Sequence, residues 1–186
     1  MKFFVMYAET CIEDYAAPGR EILQLERGCL NSEFQFLDSA PIAVEISDDS
    51  GVHFPDFILH GSIPLVSAAV KRVLENCGVD YVFYKPVQLT DSNIGEAENY
   101  WLALPPRINC LDFERSKISV EDNDFAAPSE LLREAEKIFI AENQIGRYDI
   151  FKLAGVVNQE IIVTEKLKIA LEAGHFENLF FHELEG

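Results

Sequence analysis

Apolar positions recur at helical spacing from Leu65 to Cys77. Leu65, Val66, Ala69, Val70, Val73, Leu74 and Cys77 make one stripe, and Ser67, Lys71, Arg72, Glu75 and Asn76 fall opposite it. Two start signals are present, Ser62 with Pro64 behind it, or Ser67, because a hydroxyl satisfies a free backbone N–H and proline suits a first turn. Gly78 is placed to stop the helix, since glycine adopts the left-handed conformation cheaply. Residues 79–84 then alternate as a strand that Pro86 closes. The pattern predicts a half-buried helix packed on a sheet.

The same grammar returns near the C-terminus. Val66-Ser67, followed by Val70, Leu74, Glu75 and Gly78, is echoed by Val163-Thr164, followed by Leu167, Leu171, Glu172 and Gly174. Each copy runs into an aromatic strand, around Tyr81 to Tyr84 in one and Leu179 to Phe181 in the other. Two strand–helix–strand units are expected, not a repeat protein, which would show at least three copies.

Elsewhere, strands are expected at residues 3–7, 34–37, 42–46, 57–59, 100–104, 108–113, 117–120, 135–141, 148–153 and 160–163. Residues 48–51 read as a turn and residues 90–98 as a polar surface loop containing Gly95. Residues 128–134 have room for about two helical turns, opened by Pro128 or Ser129. Strands outnumber helices without strict alternation. The expected fold class is α+β: a mixed, mainly antiparallel sheet with two or three amphipathic helices packed on it. Its 186 residues fit a single domain with a strand-rich N-terminal part over residues 1–50.

Composition narrows the function classes. Apolar residues make up 48% of the chain and 14 are Phe, enough for a real core. No apolar run reaches the length of a membrane span, and the N-terminal stretch reads as a first strand, not a signal peptide, which points to the cytoplasm. Cys11, Cys29, Cys77 and Cys110 are scattered, with no C-x-x-C pair. Thirty-two acidic against 15 basic residues give a formal charge of −17. Such a chain is repelled by nucleic acid and by anionic membranes, and steers toward basic partners.

No catalytic, cofactor-binding or metal motif is found. His53, His60, His175 and His182 belong to no ligand pattern, and no phosphate-binding glycine loop is present. His60-Gly61-Ser62 lacks the flanking glycines of a nucleophile elbow and reads as strand end, turn and cap. Asp112, Glu114 and Arg115 suit a solvated turn with an internal ion pair better than an acid–base couple. Tyr81, Phe83, Tyr84, Tyr100, Trp101 and Phe180 line a groove only if they face solvent.

Pro55-Asp56-Phe57, Leu65-Val66-Ser67, Tyr100-Trp101, Cys110-Leu111-Asp112, Glu114 and Ser116, then Ile150 to Leu153 and Ile161 to Thr164, carry a family resemblance. Residues 55–184 resemble the myxobacterial-type immunity proteins of bacterial polymorphic toxin systems. Lys152 stands where Arg is frequent in that family, and Thr164 where Ser is common. The resemblance implies a non-catalytic protein that binds and neutralises a cognate toxin, without cofactors. The acidic balance suits a basic toxin. Asp48, Asp49, Glu121, Asp122 and Asp124 are the partner-binding candidates. The competing readings are an acidic adaptor or homodimeric scaffold without a toxin partner, and a small hydrolase using Asp112, Glu114 or His60.

Overall fold

The computed structural model describes residues 1–9, 14–19, 40–48, 50–61, 63–121, 132–156 and 160–184. They belong to two compact units, one of residues 1–6, 105–168 and 181–186, the other of residues 7–104 and 169–180.

In the second of these, one five-stranded sheet has the order β2-β5-β6-β4-β3. Its strands are β2 (Ile42–Glu45), β3 (Phe57–His60), β4 (Ile63–Val66), β5 (Phe83–Asp91) and β6 (Glu96–Leu104). β2 runs parallel to β5, and the other pairings are antiparallel. Along β5, Lys85, Val87, Leu89 and Asp91 are buried while the residues between them are half-buried, the period of two that a pleated strand imposes. Val44, Ile58, Ile63, Leu65, Val87, Leu89, Tyr100 and Leu102 form the core. Pro86 lies within β5, opposite Trp101, instead of closing the strand. Its missing N–H costs nothing there, because β2 joins β5 only from Val87 onward.

Helix α1 (Ala68–Asn76) buries Val70 and Leu74 and packs on β4 and β6. Of the two start signals, Ser67 is the cap: its Oγ accepts from the Val70 N–H at 3.3 Å. At the other end Gly78 takes a φ of 81°, its N–H donates to the Glu75 carbonyl and the Val79 N–H to the Leu74 carbonyl. That pair of bonds satisfies the last free carbonyls of the helix.

Asp56 ties this unit together. Its Oδ1 accepts from Ser67 Oγ at 2.7 Å, its Oδ2 from the Glu177 N–H at 3.1 Å, and its carbonyl from the Ser67 N–H at 2.8 Å. Beside it, Tyr100 donates its hydroxyl to the Pro55 carbonyl at 2.5 Å. Asn178 Nδ2 donates to the carbonyls of Phe57 and Glu9.

The other unit holds a sheet of order β12-β1-β11-β10-β7, with β1 (Phe3–Tyr7), β7 (Arg107–Ile108), β10 (Ile150–Leu153), β11 (Ile161–Thr164) and β12 (Phe180–Glu183). A separate two-stranded sheet pairs β8 (Lys117–Glu121) with β9 (Leu132–Lys137). Phe3, Cys110, Leu111, Phe151, Leu153 and Ile162 are among its core residues, and the Phe3 and Phe151 rings meet edge to face at 6.3 Å.

Helix α2 (Glu165–Glu172) starts as α1 does. Thr164 Oγ1 donates to Asp149 Oδ1 at 2.8 Å, and the Thr164 N–H to the Asp149 carbonyl at 2.9 Å. In both copies an aspartate just before an antiparallel strand pair holds the hydroxyl residue at its end, Ser67 just after β4 and Thr164 as the last residue of β11, which opens the helix. The sequence echo is therefore a structural repeat of an Asp–strand–strand–hydroxyl–helix unit. The ends differ: His175, with a φ of 51°, takes the left-handed position expected of Gly174. A Cβ on Gly174 would lie 2.3 Å from the Phe176 ring, so any larger residue there would have to displace that ring.

Three expectations are corrected. The protein is β-rich, not α+β: among the described residues twelve strands in three sheets accompany only two α-helices. Leu132 to Glu134 belong to β9, not to a helix over 128–134, because Glu121 and Val120 of β8 pair with Leu132 and Arg133. Long-range hydrogen bonding overrides a weak local helix preference there. The polar loop over 90–98 is mostly strand, reduced to a four-residue turn between β5 and β6. The strand expected over 34–37 lies outside the described residues.

Asp56→Ala should cost about 2 kcal/mol, the scale of hydrogen bonds to a charged group, and Ser67→Ala about 1 kcal/mol. In a urea-unfolding double-mutant cycle the two losses should be less than additive, since they share one bond. Independent losses would show that the bond carries no energy.

Cys110 gives a pH dependence. It is fully buried, and burial pushes its thiol from 9.0 up to about 11. The folded state keeps the proton longer than the unfolded one. Stability is thus unaffected below the unfolded value and falls as pH rises from 9.0 toward about 11, by roughly 2 to 3 kcal/mol at most. Cys110→Ala should remove that part of the alkaline slope in urea melts, and an unchanged slope would assign it elsewhere.

Candidate partner-binding site

Parallel pairing makes β2 and β5 end together. Glu45 sits opposite Thr90, and the Ile46 N–H donates to the Thr90 carbonyl at 2.9 Å. The segment leaving β2 therefore lies beside the turn leaving β5, although the two are more than forty residues apart in sequence. Between them opens a concavity of about 520 Å³, lined by Glu45, Asp48, Val52, Asp91 and Ile94 among others.

Its charge is of one sign. Glu45, Asp48 and Asp91 supply three carboxylates, and no Lys, Arg or His among the described residues lines it. None of the three has an ion-pair partner among the described residues. Glu45 Oε1 accepts from Ser92 Oγ at 2.8 Å. Asp91 is only 3% exposed; its Oδ1 accepts from the Asn93 N–H at 2.9 Å and its carbonyl from the Gly95 N–H. These bonds shape the turn. Val52 and Ile94 stand 54% and 52% exposed at the same place. Large apolar groups set next to charge mark an interface better than isolated surface leucines do.

Concavities in the other unit differ. One of about 360 Å³ is lined by Lys2, Arg115, Glu142 and Glu183, and its charges pair internally: the N-terminal amine with Glu142 at 2.5 Å, Lys2 with Glu183 at 2.9 Å. That second bond holds the Lys2 ammonium above its usual range. Another, of about 550 Å³, mixes Lys137 and His182 with Glu136, Glu160 and Glu183. Neither presents a uniform field.

The structure separates the sequence-derived candidates. Asp48 is exposed on the turn and lines the acidic concavity. Glu121 ends β8. Asp49, Asp122 and Asp124 lie outside the described residues. Glu45, Val52, Asp91 and Ile94 were missed, because only the β2–β5 pairing brings them together.

The residues considered for catalysis have structural bonds. Asp112 Oδ1 accepts from the N–H groups of Glu114 and Arg115, and Ser116 Oγ bonds to the backbone of Phe139. Arg115 lies over the Phe139 ring, 4.4 Å from its centre. His60 sits at the end of β3 opposite Ile63. His53 meets Glu177 at 2.7 Å. Among the described residues no group of three His, Cys, Asp or Glu is placed to hold a metal ion. Among the described residues no helix is long and apolar enough to cross a membrane.

Of the aromatics, Tyr100 is buried, and its phenol is pushed up by that burial, with help from Glu98, Asp56 and Glu177. Tyr84 and Trp101 are half-buried and share the Lys71 ammonium, 4.9 and 4.7 Å from their ring centres. Of the six residues singled out for a groove, Phe83 and Phe180 are the most exposed, at 37% and 36%.

A family model described as "Immunity protein family (Imm11)" matches residues 11–186, and the chain belongs to that family. Membership carries an immunity function against a toxin. No curated protein matches the chain.

Because Val52 and Ile94 are exposed, Val52→Ala and Ile94→Ala should change stability by less than about 0.5 kcal/mol. Asp112→Ala, which removes a turn acceptor, should cost about 1 to 2 kcal/mol. Urea unfolding of the three variants checks this. A large loss at Ile94 would mean that its side chain serves the fold instead of a partner.

Proposed function

We propose that this Imm11 protein neutralises one cognate toxin domain by binding it directly, without catalysis, and that the toxin's docking face is basic. The observation that carries the reading is the family match combined with a concavity of unpaired carboxylates on a chain of formal charge −17. Opposed fields speed encounter and select the partner, and apolar groups beside them supply desolvated contact. Asp48, Asp49, Glu121, Asp122 and Asp124 are proposed contributors to the attractive field. Action in the cytoplasm, where such a chain would meet an incoming toxin, is part of the same proposal.

Co-expression with the cognate toxin domain should restore cell growth, and failure to do so sinks the reading. In vitro, titrating the toxin with the protein should reach an endpoint at stoichiometric amounts. Inactivation at a small fraction of that amount would reveal turnover and an enzyme. The association rate should fall by about tenfold or more from low to high salt if charge steers the encounter.

A further inference from the structure

We propose that the open edge of β6 from Glu96 to Asn99 takes up an extended segment of the partner as an added strand, one with Lys or Arg at alternate positions. This rests on the toxin-binding reading and names the kind of docking segment it needs.

The edge follows from the register. β5 and β6 pair along their whole length, from Phe83 opposite Leu104 to Asp91 opposite Glu96, but β4 covers β6 only at Trp101 and Leu102. After Val66 the chain turns away into α1, and among the described residues no strand lies on the outer side of β6 beyond Trp101. The Thr90 carbonyl accepts from the Ile46 N–H, so Thr90 points its backbone groups toward β2 and away from β6. Its opposite number, Ala97, therefore turns its own N–H and C=O outward. So does Asn99 two residues on, because backbone direction alternates along a strand. Neither residue has a bond on that side among the described residues. Glu96, Ala97, Glu98 and Asn99 are exposed in succession, on both faces, as an uncovered edge requires.

The side chains decide which chain fits. Outward N–H and C=O groups bond to any extended segment, and alternate side chains select among them. Glu96 and Glu98 share one face of β6, and neither has an ion-pair partner among the described residues. Residues of an added strand directly opposite them would stand on the same face about 5 Å away, where basic side chains gain charge-assisted contact. The residues between would meet Ala97 and Asn99, and the small Ala97 leaves room for a branched side chain opposite it. A second copy of this chain does not suit the edge. With Ala97 of one copy opposite Asn99 of the other, Glu98 would face Glu98, and like charges directly opposite are unfavourable. The carboxylates thus bar self-pairing while admitting a basic strand.

The test uses the full protein and the peptide acetyl-Thr-Lys-Val-Lys-Val-Lys-Thr-amide. Beside it goes a copy N-methylated at both valines, which keeps every charge but cannot donate to the edge. In hydrogen exchange followed by NMR, the Ala97 and Asn99 amides should exchange fast in the free protein. They should slow about tenfold once the first peptide fills about nine sites in ten, because only the empty fraction exchanges. The N-methylated peptide should give no such protection. Glu96→Gln combined with Glu98→Gln keeps the edge and should weaken the first peptide about tenfold. Ala97→Pro removes an outward N–H that the fold does not use, as Pro86 does in β5, and should abolish the protection of Asn99. Equal binding of both peptides, or no protection of Ala97 and Asn99 at millimolar peptide, would overturn the proposal. Growth rescue separates the two readings. Rescue by the wild type that is lost in a folded Ala97→Pro protein supports the added strand, and rescue that persists removes this site and leaves the toxin reading standing. Absence of rescue by the wild type sinks the toxin reading, while the exchange data still decide the edge.

Discussion

The Asp56 carboxylate is the interaction on which much of this protein's larger sheet unit depends. A helix N-terminus needs acceptors for its free N–H groups, and a strand that hands directly into a helix has no loop to supply them. Ser67 meets the need on the helix side, but a free hydroxyl can rotate away. Asp56 fixes it by accepting its proton while holding the Ser67 backbone and the turn at Glu177. One charged group thus sets the start of β3, the start of α1 and the position of a segment more than a hundred residues on. Asp149 and Thr164 repeat the device, with Lys166 adding an ion pair at 2.8 Å.

This explains what the family resemblance is made of. Pro55, Asp56, Ser67 and Tyr100 all take part in the clamp or in the bond beside it, and Cys110, Asp112 and Ser116 pin a turn to the backbone of Phe139 and Ala141. Thr164 does the capping work that a serine would do there, so that departure from the family pattern leaves the function of the position unchanged. The signature is a description of scaffold. Glu45, Asp48, Val52, Asp91 and Ile94 do not belong to it, and partner choice has to be read from that surface.

The acidic concavity arises from a single topological choice. β2 enters the sheet parallel to β5, so the two strands end at the same side and their exits converge. A hairpin partner would have ended on the opposite side and kept Asp48 apart from Asp91. The convergence sets Glu45, Asp48 and Asp91 around one concavity.

Much of the local structure could be read from the sequence alone. The stripe from Leu65 to Cys77 with Ser67 and Gly78, the first strand from Phe3 to Tyr7, and the echo at Val163-Thr164 are all short-range patterns, encoded by residues within a few turns of one another. The family was legible too, because its signature residues lie in such local runs. Tertiary structure decided the rest. Leu132 to Glu134 became strand because β8 pairs with them, and the 90–98 stretch became two strand ends because β5 and β6 pair along their whole length. These choices made the protein β-rich. The candidate site was legible only at Asp48: its other residues meet through pairing across more than forty residues, and no spacing along a chain records which strand will lie beside which.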